Sequence, residues 1–446
     1  MNTRSPLLRE TLDSPHPRRT TLLARLGRKL LLNQLRRFEH GEVRLVEANG
    51  RQHVFGCRHA GFDLGCTVYF DHEQAFADAA FGGTVGAGEA YIRGLWRCDD
   101  LVTLVRIFVA NREQMNRLDS GWSLLSRPLL KLFHWANRNS RNGSARNIAA
   151  HYDLGNALYE IMLDDTMAYS CAIFPRADAT LAEASEAKFD AICRKLDLKP
   201  GDHVLETGTG WGGFAIHAAQ HYGCRVTTTT ISVEQRDFAV RKIAALNLSD
   251  RITVLLHDYR DLTGQYDKLV SIEMVEAVGA PFLDGYFSHC ARLLKPEGAM
   301  LLQAITIQDQ FYEQALKSVD FIQRHVFPGS FIPSVQALSK SLSKATDLKI
   351  FHLEDIGPHY ARTLRLWRER FFRNLATVRK LGYSESFVRL WEYYLCYCEG
   401  GFTERQLGTV QMLLTKPGFR GGVRITASSG KPAMPRSPPA AVAGRS

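Results

Sequence analysis

The feature that most constrains the fold is an alternation of short apolar strands and helices over residues 203–307. Strands and helices that alternate in this way form a mostly parallel sheet with helices on its faces, and ligands bind at the carboxyl ends of its strands. The predicted strands are 203–207, 225–231, 252–257, 268–272 and 299–307, the predicted helices are 213–221, 233–246 and 282–294, and a turn is predicted at 295–298. The chain is therefore predicted to be an α/β protein.

A glycine-rich loop, ETGTGWGG at 206–213, follows the first predicted strand. Glycines without side chains let backbone amides approach a ligand closely, so a nucleotide cofactor is expected here. The spacing of Gly208, Gly210 and Gly213 also satisfies the dinucleotide pattern. The loop alone therefore does not separate a methyl donor from a nicotinamide or flavin cofactor.

Three features favour the methyl donor S-adenosylmethionine. The second strand ends in TTTTIS (227–232), without the acidic residue that a dinucleotide site places there. Glu206 stands directly before the glycines, where its carboxylate is suited to a cationic amino group. Asp258 and Tyr259 follow the third strand and offer a carboxylate and a ring for holding and covering an adenine.

Composition and charge limit the class of protein. The chain has 446 residues, a formal net charge of +10 and a pI of about 9.1, which favours a polyanionic partner such as nucleic acid or an anionic membrane. It shows no run of about 18 apolar residues and no secretory leader, so a cytoplasmic protein is expected. The nine cysteines, from Cys57 to Cys398, lack paired metal-ligand spacing and are expected to be reduced thiols without a metal site.

Changes in composition divide the chain into five parts. They are a disordered N-terminus at 1–20, an α+β domain at 21–116, a helical linker at 117–146, a catalytic domain at 147–425 and a disordered tail at 426–446.

The predicted N-terminal domain begins with a basic amphipathic helix over 22–38, where leucines recur at helical spacing between arginines. Its apolar face is suited either to the core or to anionic lipid. A helix is predicted at 72–80. Within 86–106 we expect a glycine turn, a strand and then a helix that begins near Asp99 or Asp100.

Motifs over residues 146–421 extend well beyond the glycine loop. They read HYDLGN (151–156), MAYSCAIF (167–174), TTISVEQ (229–235), DYRDL (258–262), VSIEMVEAVG (270–279), FPGSFIPS (327–334), IGPHYARTLRLWRERF (356–371) and YYLCYCEGGF (393–402). With these motifs in this order, the chain resembles the cyclopropane-fatty-acyl-phospholipid synthases and the related mycolic-acid methyltransferases. GEAYIRGLWRCDDL (88–101) is similar to the N-terminal domain of the phospholipid-acting branch, which implies an intact phospholipid as substrate.

The resemblance implies a Rossmann-like class I S-adenosylmethionine-dependent methyltransferase sheet with a helical substrate-binding insertion. It implies contacts to S-adenosylmethionine from the loop of Gly208, Gly210 and Gly212 and from Tyr169, Ser170, Thr230, Ile231, Gln235, Asp258 and Tyr259. It also implies a bicarbonate ion beside the methyl group, held at Cys171, Glu276, Gln303, Ile305 and Tyr360. Gln303 departs from the family, which usually has histidine there, and a glutamine carries no proton at neutral pH.

The implied reaction is methyl transfer to the double bond of an unsaturated acyl chain. The resulting carbocation requires a dry pocket and aromatic faces, for which Tyr169, Phe174 and Tyr360 are candidates. Bicarbonate then removes a proton from the new methyl group to close a cyclopropane ring. Loss of a proton from the adjacent carbon instead gives a methyl-branched or methylene lipid, and Gln303 keeps that alternative open. Cys398 matches a cysteine once proposed as the family's nucleophile, but an alkene needs no thiolate, so a packing role is favoured.

The expected partner is an anionic phospholipid membrane on its inner face, with no nucleic acid bound and a homodimer possible. Two other functions are weighed. A methyltransferase for RNA or a small molecule also suits the basic charge, but the chain lacks the proline-aromatic tetrapeptide that amine-modifying enzymes carry after the fourth strand. A cofactor-binding protein without catalysis is the third reading, because of the missing histidine.

Overall fold

The computed structural model describes residues 22–113 and 154–422. The predicted linker at 117–146 and the predicted disordered ends at 1–20 and 426–446 lie outside the described residues. Among the described helices, none is long and apolar enough to cross a bilayer.

The N-terminal part is a four-stranded sheet with three helices. Its strands run in the spatial order β2-β1-β3-β4, with β1 and β3 parallel and the other neighbours antiparallel. The elements are α1 (Leu22–Leu35), β1 (Gly41–Glu47), β2 (Gln52–Cys57), β3 (Gly65–Phe70), α2 (Gln74–Ile92), β4 (Trp96–Cys98) and α3 (Leu101–Ala110). This arrangement agrees with the predicted α+β class.

The first helix is confirmed, and it buries one face. Leu31, Leu32 and Leu35 lie in the core. Helix α1 crosses α2 at Gly27, so closely that a Cβ on Gly27 would come within 2.7 Å of the Ala77 backbone. The leucines of the first turns, Leu22, Leu23 and Leu26, are instead exposed. The core alternative therefore applies to the second half of the helix, and association of the exposed leucines with anionic lipid stays a prediction.

The strand predicted within 86–106 is misplaced. Residues 86–92 continue α2, which kinks at Gly83 (φ 56°), and the strand is Trp96–Cys98. Small residues explain the difference, because a Cβ on Gly88 would lie 2.4 Å from the Phe321 ring; helix α2 thus packs directly on the second domain. The next helix begins as predicted, since Asp100 caps α3 by accepting the Thr103 amide at 3.0 Å.

The second part is a seven-stranded sheet in the order β10-β11-β9-β8-β5-β6-β7. Strands β5 to β9 are parallel, and β11 is antiparallel to both neighbours. The elements are α4 (Asn156–Met162), α5 (Leu181–Lys195), β5 (His203–Thr207), α6 (Gly213–Tyr222), β6 (Arg225–Thr230), α7 (Val233–Ala245), β7 (Ile252–Leu256), β8 (Tyr266–Ile272), α8 (Leu283–Leu293), β9 (Leu294–Ile307), α9 (Asp309–Ala315), α10 (Phe321–His325), α11 (Val335–Ala345), β10 (Lys349–Asp355), α12 (Gly357–Arg373), α13 (Leu375–Lys380), α14 (Glu385–Thr403) and β11 (Leu407–Thr415).

The predicted α/β order of 203–307 is confirmed with one correction. The turn predicted at 295–298 belongs to β9, which begins at Leu294. Its pairing with β8 jumps from Tyr266↔Leu294 to Lys268↔Ala299, so residues 295–298 bulge out of the ladder without ending the strand.

The two parts pack together through α2, α3 and α14. Tyr91 donates to Glu392 at 2.7 Å, and Arg106 pairs with Glu404 at 2.6 Å. The contact brings one end of α3 to the carboxyl edge of the large sheet. The N-terminal domain therefore contributes to the cavity described next.

All nine cysteines are free thiols in the described residues. Cys66, Cys98 and Asp99 bring their ligand atoms within 4.8 Å of one another, a grouping that sequence spacing did not predict. None of the three lines the cavity described next.

Candidate active site

A cavity of about 480 Å³ lies at the carboxyl ends of β5, β6, β7, β8 and β9. Parallel α/β sheets bind ligands at this edge. The opposite walls come from α12, α14 and the segment 314–332, together with Val105, Val109 and Arg112 from the N-terminal domain. The cavity therefore joins both domains.

The glycine loop forms one end of the cavity. Gly208, Gly210 and Gly212 all have positive φ, at 95°, 52° and 89°. Gly208 and Gly210 line the cavity, whereas Gly212 caps the N-terminus of α6. A Cβ at Gly208 would lie 3.2 Å from the Met274 side chain, and the positive φ strains any residue other than glycine, so a side chain is disfavoured on both grounds.

Glu206 and Ser170 bring buried polar groups to the same end. Glu206 accepts the Thr228 hydroxyl at 2.7 Å, and burial raises its pKa to about 8. Ser170 accepts from Lys188 at 2.8 Å, and burial lowers the pKa of Lys188 to about 8. Glu206, Ser170 and Lys188 line the cavity, whereas Thr228 does not. A cationic ligand group beside Glu206 would favour its ionised form.

The remaining predicted cofactor residues also line the cavity. Thr230 donates to Gln235 at 2.9 Å at the end of β6. Asp258 follows β7 and pairs with Arg260 at 2.6 Å. The other lining residues of the predicted set are Tyr169, Ile231 and Tyr259.

Three of the five residues predicted to hold an anion, Cys171, Gln303 and Tyr360, are brought together around a side chain of the protein, Glu273. The Cys171 amide donates to Oε1 of Glu273 at 2.9 Å, and Gln303 Nε2 donates to the same oxygen at 2.8 Å. The Tyr360 hydroxyl donates to Oε2 at 2.6 Å. Burial raises the pKa of Glu273 although these donors oppose the shift. Cys171 and Gln303 do not line the cavity, whereas Glu273 and Tyr360 do.

Glu276 lies beside this group without bonding to it. Its Oε1 accepts the Ile305 amide at 2.6 Å. Its buried Oε2 has no hydrogen-bond partner among the described residues. Burial, with the neighbouring charge of Glu273, raises the pKa of Glu276 to about 8, so it is mostly a neutral acid at pH 7.

A chain of side chains continues behind Gln303. Gln303 Oε1 accepts from Gln411 Nε2 at 2.9 Å, and Gln411 Oε1 accepts from Lys195 Nζ at 2.5 Å. Lys195 also pairs with Glu354. The amide of Gln303 is thereby fixed from both sides.

Aromatic rings surround the middle of the cavity. The Tyr169 hydroxyl bonds that of Tyr394 at 2.8 Å, and its ring lies 5.1 Å from Trp367. The Tyr360 ring lies 4.4 Å from Phe402. The third predicted ring was wrongly assigned to the pocket: Phe174 lies outside the lining, beneath the Arg362 guanidinium at 4.0 Å.

Cys398 lines the cavity from α14. Burial raises the pKa of its thiol, which therefore stays protonated at neutral pH. The favoured packing role agrees with this environment.

Comparison with known proteins identifies the family. The pattern described as mycolic acid cyclopropane synthetase matches residues 139–412, more than half of the chain. The chain belongs to the mycolic acid cyclopropane synthetase family. It is 38% identical over 345 residues to the tuberculostearic acid methyltransferase UfaA1 of Mycobacterium tuberculosis, covering 75% of this chain and 80% of that protein. It is 37% identical over 345 residues to the cyclopropane-fatty-acyl-phospholipid synthase of Escherichia coli K12, covering 77% and 86%.

Solved structures agree with the sequence match. The mycolic acid cyclopropane synthase CmaA1, complexed with SAH and CTAB, aligns with a TM-score of 0.57 and 32% identity, over 61% of this chain and 98% of that one. The predicted fold class is confirmed. This member of the mycolic acid cyclopropane synthetase family is an S-adenosylmethionine-dependent methyltransferase, and its glycine loop and Glu206 fit that ligand.

The residues predicted to hold bicarbonate do not fit that ion. A backbone amide and a tyrosine hydroxyl each donate one hydrogen bond. In this family member, the Cys171 amide and the Tyr360 hydroxyl both donate to Glu273. A bicarbonate ion at the same place would face the Glu273 carboxylate without hydrogen-bond donors of its own. The residues present therefore do not fit bicarbonate.

Sequence reasoning missed Glu273, Lys188, Gln411 and Arg112. The segment SIEMVEAVG contained one usable signal, because it places two acids three residues apart in an otherwise apolar stretch. The other three residues are isolated in sequence and reach the site only through the fold.

Proposed function

We propose that the protein transfers a methylene unit from S-adenosylmethionine to the double bond of an unsaturated acyl chain in a membrane phospholipid, giving a cyclopropane fatty acid. The observation that carries this proposal is the continuity of the cavity. The glycine loop at one end and an apolar region at the other line the same space, the latter through Ile322, Phe327, Ile332 and Leu364. An acyl chain in the apolar region would reach the methyl donor without leaving the protein.

The chemistry requires positioning above all. S-adenosylmethionine, when bound, supplies an electrophilic methyl group, whereas an isolated alkene is a weak nucleophile. The protein must therefore hold the double bond in line with the methyl group and exclude water. The rings of Tyr169 and Tyr360 line the cavity and present faces that stabilise positive charge on the acyl chain.

Arg112 supports a phospholipid substrate. Its guanidinium lies 3.9 Å from the centre of the Phe311 ring and lines the cavity. Its Nη1 is buried and has no hydrogen-bond partner among the described residues. Burial lowers the pKa of Arg112, which records the cost of keeping this charge away from water. A headgroup phosphate would supply the missing partner.

Helix α1 supports association with the inner face of an anionic membrane. Leu22 and Leu23 are 81% and 59% exposed, and Arg25 and Lys29 are exposed beside them. Apolar side chains flanked by basic residues suit the boundary between headgroups and acyl chains. The net charge of +10 adds attraction to anionic lipid.

The test uses a labelled methyl donor with vesicles of unsaturated anionic phospholipid, followed by mass spectrometry of the acyl chains. The expected product is a cyclopropane chain, with no label in saturated vesicles. Gly208→Ala should abolish transfer, whereas Gly264→Ala, at a similar φ of 94° but outside the cavity lining, should not. Binding of the donor without transfer, or transfer only to RNA or small amines, would contradict the proposal.

A methyl-branched or methylene lipid is the second candidate product. Gln303 favours it, since an amide cannot carry a proton at the position where the family usually has histidine. The two products differ in which proton leaves the same cation. The mass spectrometry of the same assay separates them.

A further inference from the structure

We infer that Glu273 is a catalytic residue of this site and accepts the proton whose loss closes the ring, in the position where an external bicarbonate ion was expected. The inference rests on the proposed function, because it assigns a base to that reaction. It concerns a residue that the motif comparison did not single out.

The hydrogen-bond donors around Glu273 are arranged to hold a carboxylate. Three donors from distant parts of the chain meet its two oxygens: the Cys171 amide, the Gln303 amide and the Tyr360 hydroxyl. A carboxylate has about four lone-pair positions. Oε1 takes two of the donors and Oε2 one, so the open position is on Oε2. Glu273 lines the cavity, so a substrate bound there would lie beside this carboxylate.

The backbone keeps this carboxylate in place. Glu273 has φ of +48°, in the left-handed region that residues other than glycine rarely adopt. Its amide donates to the Gln303 carbonyl at 2.8 Å, which anchors the turn to β9. The residue that would adopt this conformation most readily is glycine. A Glu273→Gly substitution therefore removes the acid and relieves the backbone at the same time.

The proton step balances with these groups. During methyl transfer, the alkene π pair forms the bond to the methyl carbon, sulfur keeps the pair of the broken C–S bond, and the second alkene carbon becomes a cation. Glu273 then takes one proton from the new methyl group onto Oε2. The released C–H pair forms the last bond of the ring, and the neutral acid remains hydrogen-bonded to Tyr360. The proton passes to water after the product leaves.

The experiment compares wild type, Glu273→Gly and Glu273→Gln in buffer freed of carbon dioxide, with and without added bicarbonate or formate. Glu297→Gln, at an exposed acid outside the cavity lining, is the matched control. Wild type should transfer methyl groups at the same rate with and without bicarbonate. Glu273→Gly should lose about 10²–10⁴-fold, the usual contribution of a general base, and recover with added bicarbonate or formate. Glu273→Gln should lose activity without recovery, because the amide still fills the site.

Calorimetry with S-adenosylmethionine supplies the second readout, and both variants should bind it as wild type does. A wild-type rate that rises strongly with bicarbonate would overturn the inference while leaving the proposed function intact. Full ring formation by Glu273→Gln would overturn it too, even if the glycine variant failed to fold. Absence of lipid methylation by wild type in every buffer would overturn the proposed function and this inference together.

Discussion

Glu206 is predicted to couple binding of the methyl donor to pH. Its carboxyl is buried at the cavity end formed by the glycine loop, and burial raises its pKa to about 8. A cationic amino group binds the ionised form. The proton must therefore leave on binding, so affinity should rise as the pH rises towards the pKa of the free carboxyl, and should stop rising where the amino group of the ligand begins to lose its own proton.

The magnitude follows from that pKa. At pH 7 a group with a pKa of about 8 is roughly 90% protonated, which costs about 1.4 kcal/mol, or about tenfold in affinity. Between pH 6 and pH 7, where the amino group of the ligand is still mostly cationic, the affinity should rise roughly tenfold, and binding at pH 7 should release about 0.9 proton. Calorimetry in two buffers of different ionisation enthalpy measures both quantities.

Glu206→Gln is the decisive variant, because its amide oxygen keeps the Thr228 bond without a titratable group. It should bind the donor about 10- to 100-fold more weakly at pH 8. Lys188, whose pKa is also about 8, remains in the variant, but its pKa should fall there because the charge of Glu206 raises it in wild type. The slope between pH 6 and pH 7 should therefore be lost or reversed in the variant. A wild-type affinity that is flat from pH 6 to pH 7, or an equal slope in the variant, would refute the reasoning.

Three further substitutions test other parts of the site and fold. Cys398→Ser should keep the lipid methylation rate within about threefold, because burial keeps the thiol protonated; a loss above about 100-fold would restore a nucleophilic role. Arg112→Gln should lower the rate on phospholipid vesicles about tenfold without changing donor affinity in calorimetry, and an unchanged rate would exclude a headgroup contact. Gly88→Ala should lower the melting temperature by an amount equivalent to about 1–3 kcal/mol, because the methyl group would meet Phe321. Gly285→Ala, also helical but with open space around it, is the control in thermal denaturation and should show no loss.

The sheet was predictable because its signals are local. Apolar strands of five to seven residues, helices between them and one glycine loop predicted β5 to β8 to within about two residues. Helix α2 was not predicted in full, because its second half is rich in glycine and alanine. Its glycines favour turns in isolation, whereas in the fold Gly88 is helical and lies directly against the Phe321 ring.

The proton-accepting group proposed here was hidden for a different reason. Glu273 depends on a left-handed backbone at the end of β8 and on donors that lie 102, 30 and 87 residues away in sequence. Motif comparison ranked Glu276 instead, which the fold places beside the cluster and bonds to the Ile305 amide. The sequence contains all the residues of the site, but only the fold shows that Glu273, and not Glu276, accepts the hydrogen bonds of these donors.

The hydrogen bonds from Lys195 to Gln411 and from Gln411 to Gln303 run in one direction, from donor to acceptor. Glutamine amides alone could form them in either direction. A lysine ammonium only donates, so the Gln411 oxygen must face it, and the Gln411 nitrogen must then face the oxygen of Gln303. That leaves the Gln303 nitrogen turned towards Glu273. Lys195, at the C-terminus of α5, thus adds to the orientation that Gln303 already receives from Glu273 and the Cys171 carbonyl. Its replacement by methionine would remove the donor that fixes the Gln411 oxygen, and the direction of the Gln303 amide would then depend on those two acceptors alone.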